Sequence, residues 1–205
     1  MAEKQIRHKV KSKKNVKKSF YEVPTSLTAT KIYLYSSSAE ELNNKTAVLD
    51  LTKSLRGKSL LLKIRIKNTD GKLQGVPESA SLAQSYIKRV MRRGSDYVED
   101  SFKAECRDSI AVVKPLMITR RRVSKATLKA LRNAARKNIE SYIKTRNAEE
   151  VISDIITNKL QKQLIPKLKK IYPLALCEIR VFEIEKMLDK KPSKKDEEVS
   201  SEEEQ

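Results

Sequence analysis

The sequence predicts an α+β protein whose core is antiparallel and β-barrel-like, with helices appended towards the C-terminus. Three observations carry this. Apolar residues recur with period two from Phe20 to about Ile118, and the period lengthens to three or four after Arg122. Hydrophobic residues make up 39% of the 205, enough for one real core. The boundaries that follow are a basic leader over 1–19 and a β-rich part with one basic helix over 20–122. A helical part with a final strand spans 123–186, and a charged tail spans 187–205.

Each element has a local cause. The leader carries Lys4, Arg7, Lys9, Lys11, Lys13, Lys14, Lys17 and Lys18 with almost no apolar residues. It cannot offset the entropy of ordering, so it is expected to be disordered until it meets an anionic surface. A nuclear localisation signal is a competing use of the same run. Weak strands are predicted at Thr30–Tyr35 and Thr46–Thr52. The clearest strand is 59–67, where Leu60, Leu62, Ile64 and Ile66 alternate with Leu61, Lys63, Arg65 and Lys67. Asn68-Thr69-Asp70-Gly71 is turn chemistry, and Leu73 to Val76 returns as a strand. Residues 79–93 are expected to be helical. A further hairpin follows, with Val98, Phe102, Ala104 and Cys106 on one face of its first strand. Beyond the Arg107-Asp108-Ser109 turn, Ile110, Val112, Leu116 and Ile118 share a face of the second.

After Arg122, Ser124 is a good N-cap for an amphipathic helix bearing Leu128, Leu131, Ala135, Ile139 and Tyr142, ending near Lys144. A second helix starts at Asn147 with Glu150 as capping-box partner. Pro166 is expected to kink or restart it, because proline removes a backbone donor. Leu176 to Ile184 closes the pattern as a last strand. The tail beyond Leu188 is rich in Lys, Ser and Glu and is expected to be disordered. Cys106 and Cys177 lack metal-site spacing and suit two reduced core thiols.

Charge bounds the partners. Forty-five Lys and Arg against 26 acids leave a formal net charge of +19, which repels itself unless a polyanion binds. No apolar stretch approaches the ~20 residues a bilayer needs, so a membrane is not expected. Nucleic acid is the leading partner, and the basic residues fall into clusters. Lys88, Arg89, Arg92 and Arg93 stack in like-charged pairs if 79–93 is helical, a cost of about 0.2–0.5 kcal/mol per pair that phosphate would offset. Arg120, Arg121 and Arg122 lead into a helix N-terminus, where free backbone donors already favour anions. Lys125, Lys129, Arg132 and Arg136 then run along the outer face of that helix, beside its apolar stripe. With Lys13, Lys14, Lys17 and Lys18 of the leader, these are the candidate RNA-binding residues.

Catalytic signatures are missing. His8 is the single histidine and lies in the leader, and neither a phosphate-binding loop nor a nucleophile elbow is present. Asp96, Glu99 and Asp100 suit the polar face of a strand better than a nuclease site. The chain is therefore not expected to be an enzyme, to hold a cofactor or metal, or to act on a small molecule. Only 5% of residues are aromatic and tryptophan is absent, so phosphate contact to folded RNA is the expected principal mode rather than base stacking.

Three segments, residues 85–95, residues 113–121, and residues 169–174 with 178–180, resemble, in order, the eukaryotic-type S-one family of small-subunit ribosomal proteins shared by archaea and eukaryotes. Ser-Tyr-Ile-Lys-Arg-Val-Met-Arg-Arg-Gly-Ser at 85–95 is similar to the family's basic helix. Val-Lys-Pro-Leu-Met-Ile-Thr-Arg-Arg at 113–121 resembles its strand into an arginine cluster. Lys169-Lys170-Ile171-Tyr172-Pro173-Leu174, followed by Glu178-Ile179-Arg180, resembles its C-terminal signature. Where the family usually carries tryptophan ahead of an Ala-Pro pair, this chain has Phe20-Tyr21-Glu22-Val23-Pro24. The short length resembles archaeal members. The resemblance implies a structural ribosomal protein in the cytoplasm, with small-subunit ribosomal RNA and neighbouring small-subunit proteins as partners. It also implies a position on the platform near the messenger exit. A non-ribosomal basic RNA- or DNA-binding protein, such as a chromatin protein or RNA chaperone, is the alternative.

Overall fold

In the computed structural model the alternating segments form nine strands and the three-to-four periodic ones four helices, among residues 17–28, 31–55, 57–69 and 72–187, which the structure describes. The leader through residue 16 and the tail from residue 188 lie outside the described residues. The order is β1 Ser19–Val23, β2 Ile32–Ser36, β3 Thr46–Asp50, β4 Leu60–Thr69 and β5 Lys72–Leu82, then α1 Gln84–Val90. There follow β6 Tyr97–Glu99, β7 Phe102–Glu105, β8 Ser109–Thr119, α2 Lys125–Ile143, α3 Ala148–Ile156, α4 Lys159–Lys169 and β9 Leu174–Met187.

The strands β3 to β9 make one seven-stranded sheet in the order β3-β4-β5-β9-β8-β6, with β7 beside β6 on the same edge of β8. Every strand pairing is antiparallel. The fold is thus α+β, but the expected barrel does not close: β3 ends the sheet on one side, and β6 and β7 end it on the other. Helices do the covering that closure would have done. Leu131, Ala135 and Ile139 of α2, Val151 and Ile155 of α3 and Leu164 and Leu168 of α4 join Leu60, Leu62, Val113 and Phe182 of the sheet in one core. The β1–β2 hairpin forms a separate small sheet, seated through Val23 on Ile66, Leu73 and Leu42. Gly75 allows that seating. Its N–H donates to the Pro24 carbonyl at 3.0 Å, and a Cβ there would meet Ile64 Cγ2 at 2.8 Å.

Several boundaries differ from those expected. The strand after the 68–71 turn runs on to Leu82, because Ala80 and Leu82 continue its buried face; the helix is accordingly shorter, 84–90 rather than 79–93. The single strand expected from Val98 to Cys106 splits into β6 and β7 around Asp100-Ser101, where the Ser101 N–H donates to the Asp100 carboxylate at 2.9 Å. In β8 the buried face is Ala111 and Val113, not Ile110 and Val112, and the register shifts between Lys114 and Pro115. From there every residue to Thr119 is buried between β9 and β6.

The helix caps follow the sequence closely. Ser124 accepts the Thr127 N–H at 3.4 Å, and Asn147 with Glu150 forms the capping box. The break in the second helical stretch, however, falls at Asn158 and not at Pro166. Asn158 takes a left-handed φ of 59°, which asparagine tolerates, while Pro166 lies within α4 on its exposed side. Tyr142 donates to the buried Asp154 at 2.9 Å across the α2–α3 corner; burial, then this bond and the Asp154 charge, push its hydroxyl up to about 12. Both cysteines are free and buried, and burial raises Cys106 to about 11 and Cys177 to about 12, so neither thiol is a nucleophile near neutrality.

A buried polar latch joins the sheet to the helices. Lys58 Nζ donates to Glu178 Oε2 at 2.6 Å, to Asn158 Oδ1 at 2.8 Å and to the Ile155 carbonyl at 3.3 Å. Gln161 Nε2 adds a second donor to Glu178 at 3.0 Å. All three ammonium protons are taken, which is what makes burial of this charge tolerable. On the other face of the sheet, Lys63 and Arg65 both pair with Glu78, so the cationic face expected of β4 is partly neutralised from within.

Candidate nucleic-acid interface

Chemistry at the end of β8 begins with Thr119, which is fully buried. Its N–H donates to the Asp96 carbonyl at 2.9 Å, and its hydroxyl accepts the Asp96 N–H at 3.0 Å. The Asp96 carboxylate reaches on to accept the Val123 N–H at 2.8 Å. One residue thereby clamps the segment that enters β6 to the segment that leaves β8. The consequence is positional. Arg92 and Arg93 lie just before the clamp on one strand of chain, Arg120, Arg121 and Arg122 lie just after it on the other, and β6 pairs with β8 at this end. Two clusters separated by more than 25 residues in sequence are brought to the same end of one strand pair.

All the expected basic residues within the described chain are exposed. Their arrangement differs from expectation in α1. The helix stops at Val90, and Met91 is extended at φ −69°, ψ 119°, so Arg92 and Arg93 do not stack over Lys88 and Arg89. The turn is set by Gly94 at φ +82° and by Ser95, whose hydroxyl donates to the Arg92 carbonyl at 2.7 Å. Arg89 turns back instead: it donates to the Gly57 carbonyl at 3.3 Å and lies 5.5 Å over the Tyr86 ring. Lys88, Arg92 and Arg93 have no ion-pair partner among the described residues.

The N-terminus of α2 is less open than the sequence suggests. No acid lies in its first turn, but Asp96 supplies one from just before β6, and Ser124 already takes the Thr127 N–H. What remains for an external anion is the side chains of Arg120, Arg121, Arg122, Lys125 and Lys129, none of them in an ion pair among the described residues. Further along the stripe the charge is partly spoken for. Arg136 donates to Glu140 at 2.8 Å, a bond that pushes its pKa up, and it lies 5.3 Å over the Phe102 ring. Arg132 lines a surface hollow with Glu99, Asp100, Lys114 and Arg180.

That hollow also helps account for the three acids. Asp96 is the clamp; one Arg180 nitrogen holds both Glu99 oxygens at 3.0 Å; Asp100 bends the chain through Ser101. Each is engaged by a protein partner. Lys114 is a cation the sequence reasoning missed; it sits in the alternation of β8 and carries no signal beyond interrupting an apolar run. Lys17 and Lys18 precede β1 on the separate hairpin sheet, and Lys13 and Lys14 lie outside the described residues. Among the described residues no helix is long and apolar enough to cross a membrane.

Residues 4–187 match the Ribosomal S3Ae family. Among curated proteins, the chain is 32% identical over 109 residues to the small ribosomal subunit protein eS1 of Nanoarchaeum equitans, covering 53% of this chain and 55% of that one. It is 30% identical over 95 residues to the protein of the same name from Methanothermobacter thermautotrophicus, covering 46% and 49%. With the Desulfurococcus amylolyticus eS1 protein the identity is 25% over 178 residues, 83% of each. The match thus spans about half the length of the first two relatives and most of the third.

Proposed function

The chain belongs to the ribosomal S3Ae family, and from that premise we propose that it is a structural constituent of the small ribosomal subunit that binds folded ribosomal RNA. The observation that carries the RNA-binding part is the Asp96 clamp, which gathers Arg92, Arg93 and Arg120 to Arg122 ahead of the basic stripe of α2. Exposed cations without acidic partners, presented from rigid elements, suit phosphate contact that orients a protein on RNA without reading sequence. The backbone clamp matters, because anchoring the chain on both sides of these arginines limits the entropy lost when their free guanidinium forks meet phosphate. The role is architectural rather than catalytic. The family resemblance adds a position on the platform near the messenger exit, in the cytoplasm, with neighbouring small-subunit proteins as further partners.

Sedimentation tests this. In a native gradient the full-length chain is expected to travel with small subunits and to leave them only at high salt, as phosphate-dominated binding requires. A wholly free pool would end the ribosomal assignment. Equal affinity for duplex DNA and ribosomal RNA at matched salt would favour a general polyanion binder instead.

A further inference from the structure

The β1–β2 hairpin has two unlike faces. One packs Tyr21, Val23, Ile32 and Leu34 against the Leu42, Ile66 and Leu73 cluster. The other turns three aromatic rings outward: Phe20 is 72% exposed, Tyr33 64% and Tyr35 59%. The register places Phe20 opposite Tyr35, with ring centroids 4.9 Å apart, and Tyr33 opposite Glu22. Single exposed apolar residues need no explanation, but three rings gathered on one small face do. The cross-strand contact of Phe20 with Tyr35 supports the strand pairing modestly, but it leaves all three rings largely exposed.

The charges around the rings indicate what they would receive. Lys18 lies 5.7 Å over the Tyr35 ring, and Lys17 is exposed beside it. Glu22, the acid on this face of β1, is tied up in an ion pair with Lys31. Aromatic rings flanked by lysines match a ligand that offers flat π-faces and negative charge together, which is an unpaired stretch of nucleic acid. A cationic or proline-rich peptide would meet repulsion or no complement from those lysines. Residues two apart on a strand point to the same side about 7 Å apart, so Tyr33 and Tyr35 offer successive seats along β2.

We propose that the outer face of the β1–β2 hairpin is a base-stacking platform for an unpaired RNA segment, with Phe20, Tyr33 and Tyr35 holding bases and Lys17 and Lys18 the adjoining phosphates. This rests on the RNA-binding function proposed above and adds a second mode to it. The arginine surface holds the backbone of folded RNA; the hairpin holds bases that have left the stack.

The test uses the full-length chain and two RNAs of equal charge, an unstructured oligonucleotide and a blunt duplex, at one salt concentration. The variant Phe20→Ala/Tyr33→Ala/Tyr35→Ala is expected to lose about tenfold or more in affinity for the unstructured RNA, since each stacked base contributes substantially. Duplex affinity should not change. Phe20→Trp/Tyr33→Phe/Tyr35→Phe, which keeps the rings, should restore binding. If the triple alanine variant melts early, Tyr33→Ala alone carries the test, because that ring is among the most exposed. Unchanged affinity for unstructured RNA overturns the proposal. So does an equal loss on the duplex, or an unchanged RNA affinity with loss of a protein neighbour from assembled subunits. Failure of the unaltered chain to bind either RNA would instead remove the RNA-binding function itself.

Discussion

Lys58→Met will lower the stability of the chain by about 3–5 kcal/mol, the range for removing one partner of a buried ion pair. The side chains of Lys58 and Glu178 are only 8% and 11% exposed, so the carboxylate left behind would stay out of water with Gln161 as its one remaining side-chain donor. For a domain of this size that loss moves the melting temperature by roughly 6–20 °C. Glu178→Gln should cost less, because Lys58 keeps the Ile155 carbonyl and the Asn158 side chain as acceptors. Lys58→Met/Glu178→Met should recover most of the loss, since an apolar pair of similar volume carries no desolvation penalty. Urea unfolding followed by circular dichroism gives all three values. A double variant no better than Lys58→Met would show that the Asn158 corner, and not the charge pair, carries the stability.

This latch also marks where sequence reasoning stops. Capping is local chemistry: Ser124 and the Asn147–Glu150 box are written in adjacent residues, and both helices start where those residues say. The β4 alternation is equally local and equally legible. The position of β9 is not. The last strand is inserted between β5 and β8, and nothing in its own pattern names its neighbours. Asp96 and Lys58 were unreadable for the same reason. Their partners, Val123 and Glu178, lie 27 and 120 residues away, and only the assembled sheet brings them within reach. The barrel expectation failed one level higher. Alternating strands state that one face must be covered, but not whether a sheet edge or a helix covers it. Within the site, the identity of the exposed cations was legible from charge clustering, while their grouping was not. A seven-residue helix ending at Val90 detached Arg92 and Arg93 from Lys88 and Arg89 and delivered them to the Arg120 side. The outward rings of the hairpin were likewise hidden: a strand was expected at Thr30–Tyr35, but Ile32, Tyr33, Leu34 and Tyr35 are all apolar or aromatic, so no polar alternation distinguishes its buried face from its exposed one.

Arg120→Ala/Arg121→Ala/Arg122→Ala will weaken RNA binding across unrelated sequences and flatten its salt dependence. Each arginine that holds a phosphate should, when truncated, reduce the log–log slope by roughly 0.7–0.9. Truncating all three would therefore lower it by about 2–3, and each accounts for roughly a threefold fall in affinity between 50 and 200 mM salt. The fold should survive, because the clamp uses backbone atoms at this junction. Asp96 holds the Val123 N–H, and Thr119 Oγ1 lies 2.8 Å from the Arg121 carbonyl, bonds that a side-chain truncation leaves in place. Arg136→Ala supplies the internal comparison. Arg136 is on the same basic stripe but already bonded to Glu140, so it has less charge to offer and its removal should change the slope less. Titrations at four or more salt concentrations, with melting curves for each variant, distinguish the outcomes. Equal slopes for the triple variant and the unaltered chain would mean that these arginines face solvent or protein. The phosphate contacts would then have to come from Arg92, Arg93 and the first turn of α2, and the same experiment on Arg92→Ala/Arg93→Ala would show it.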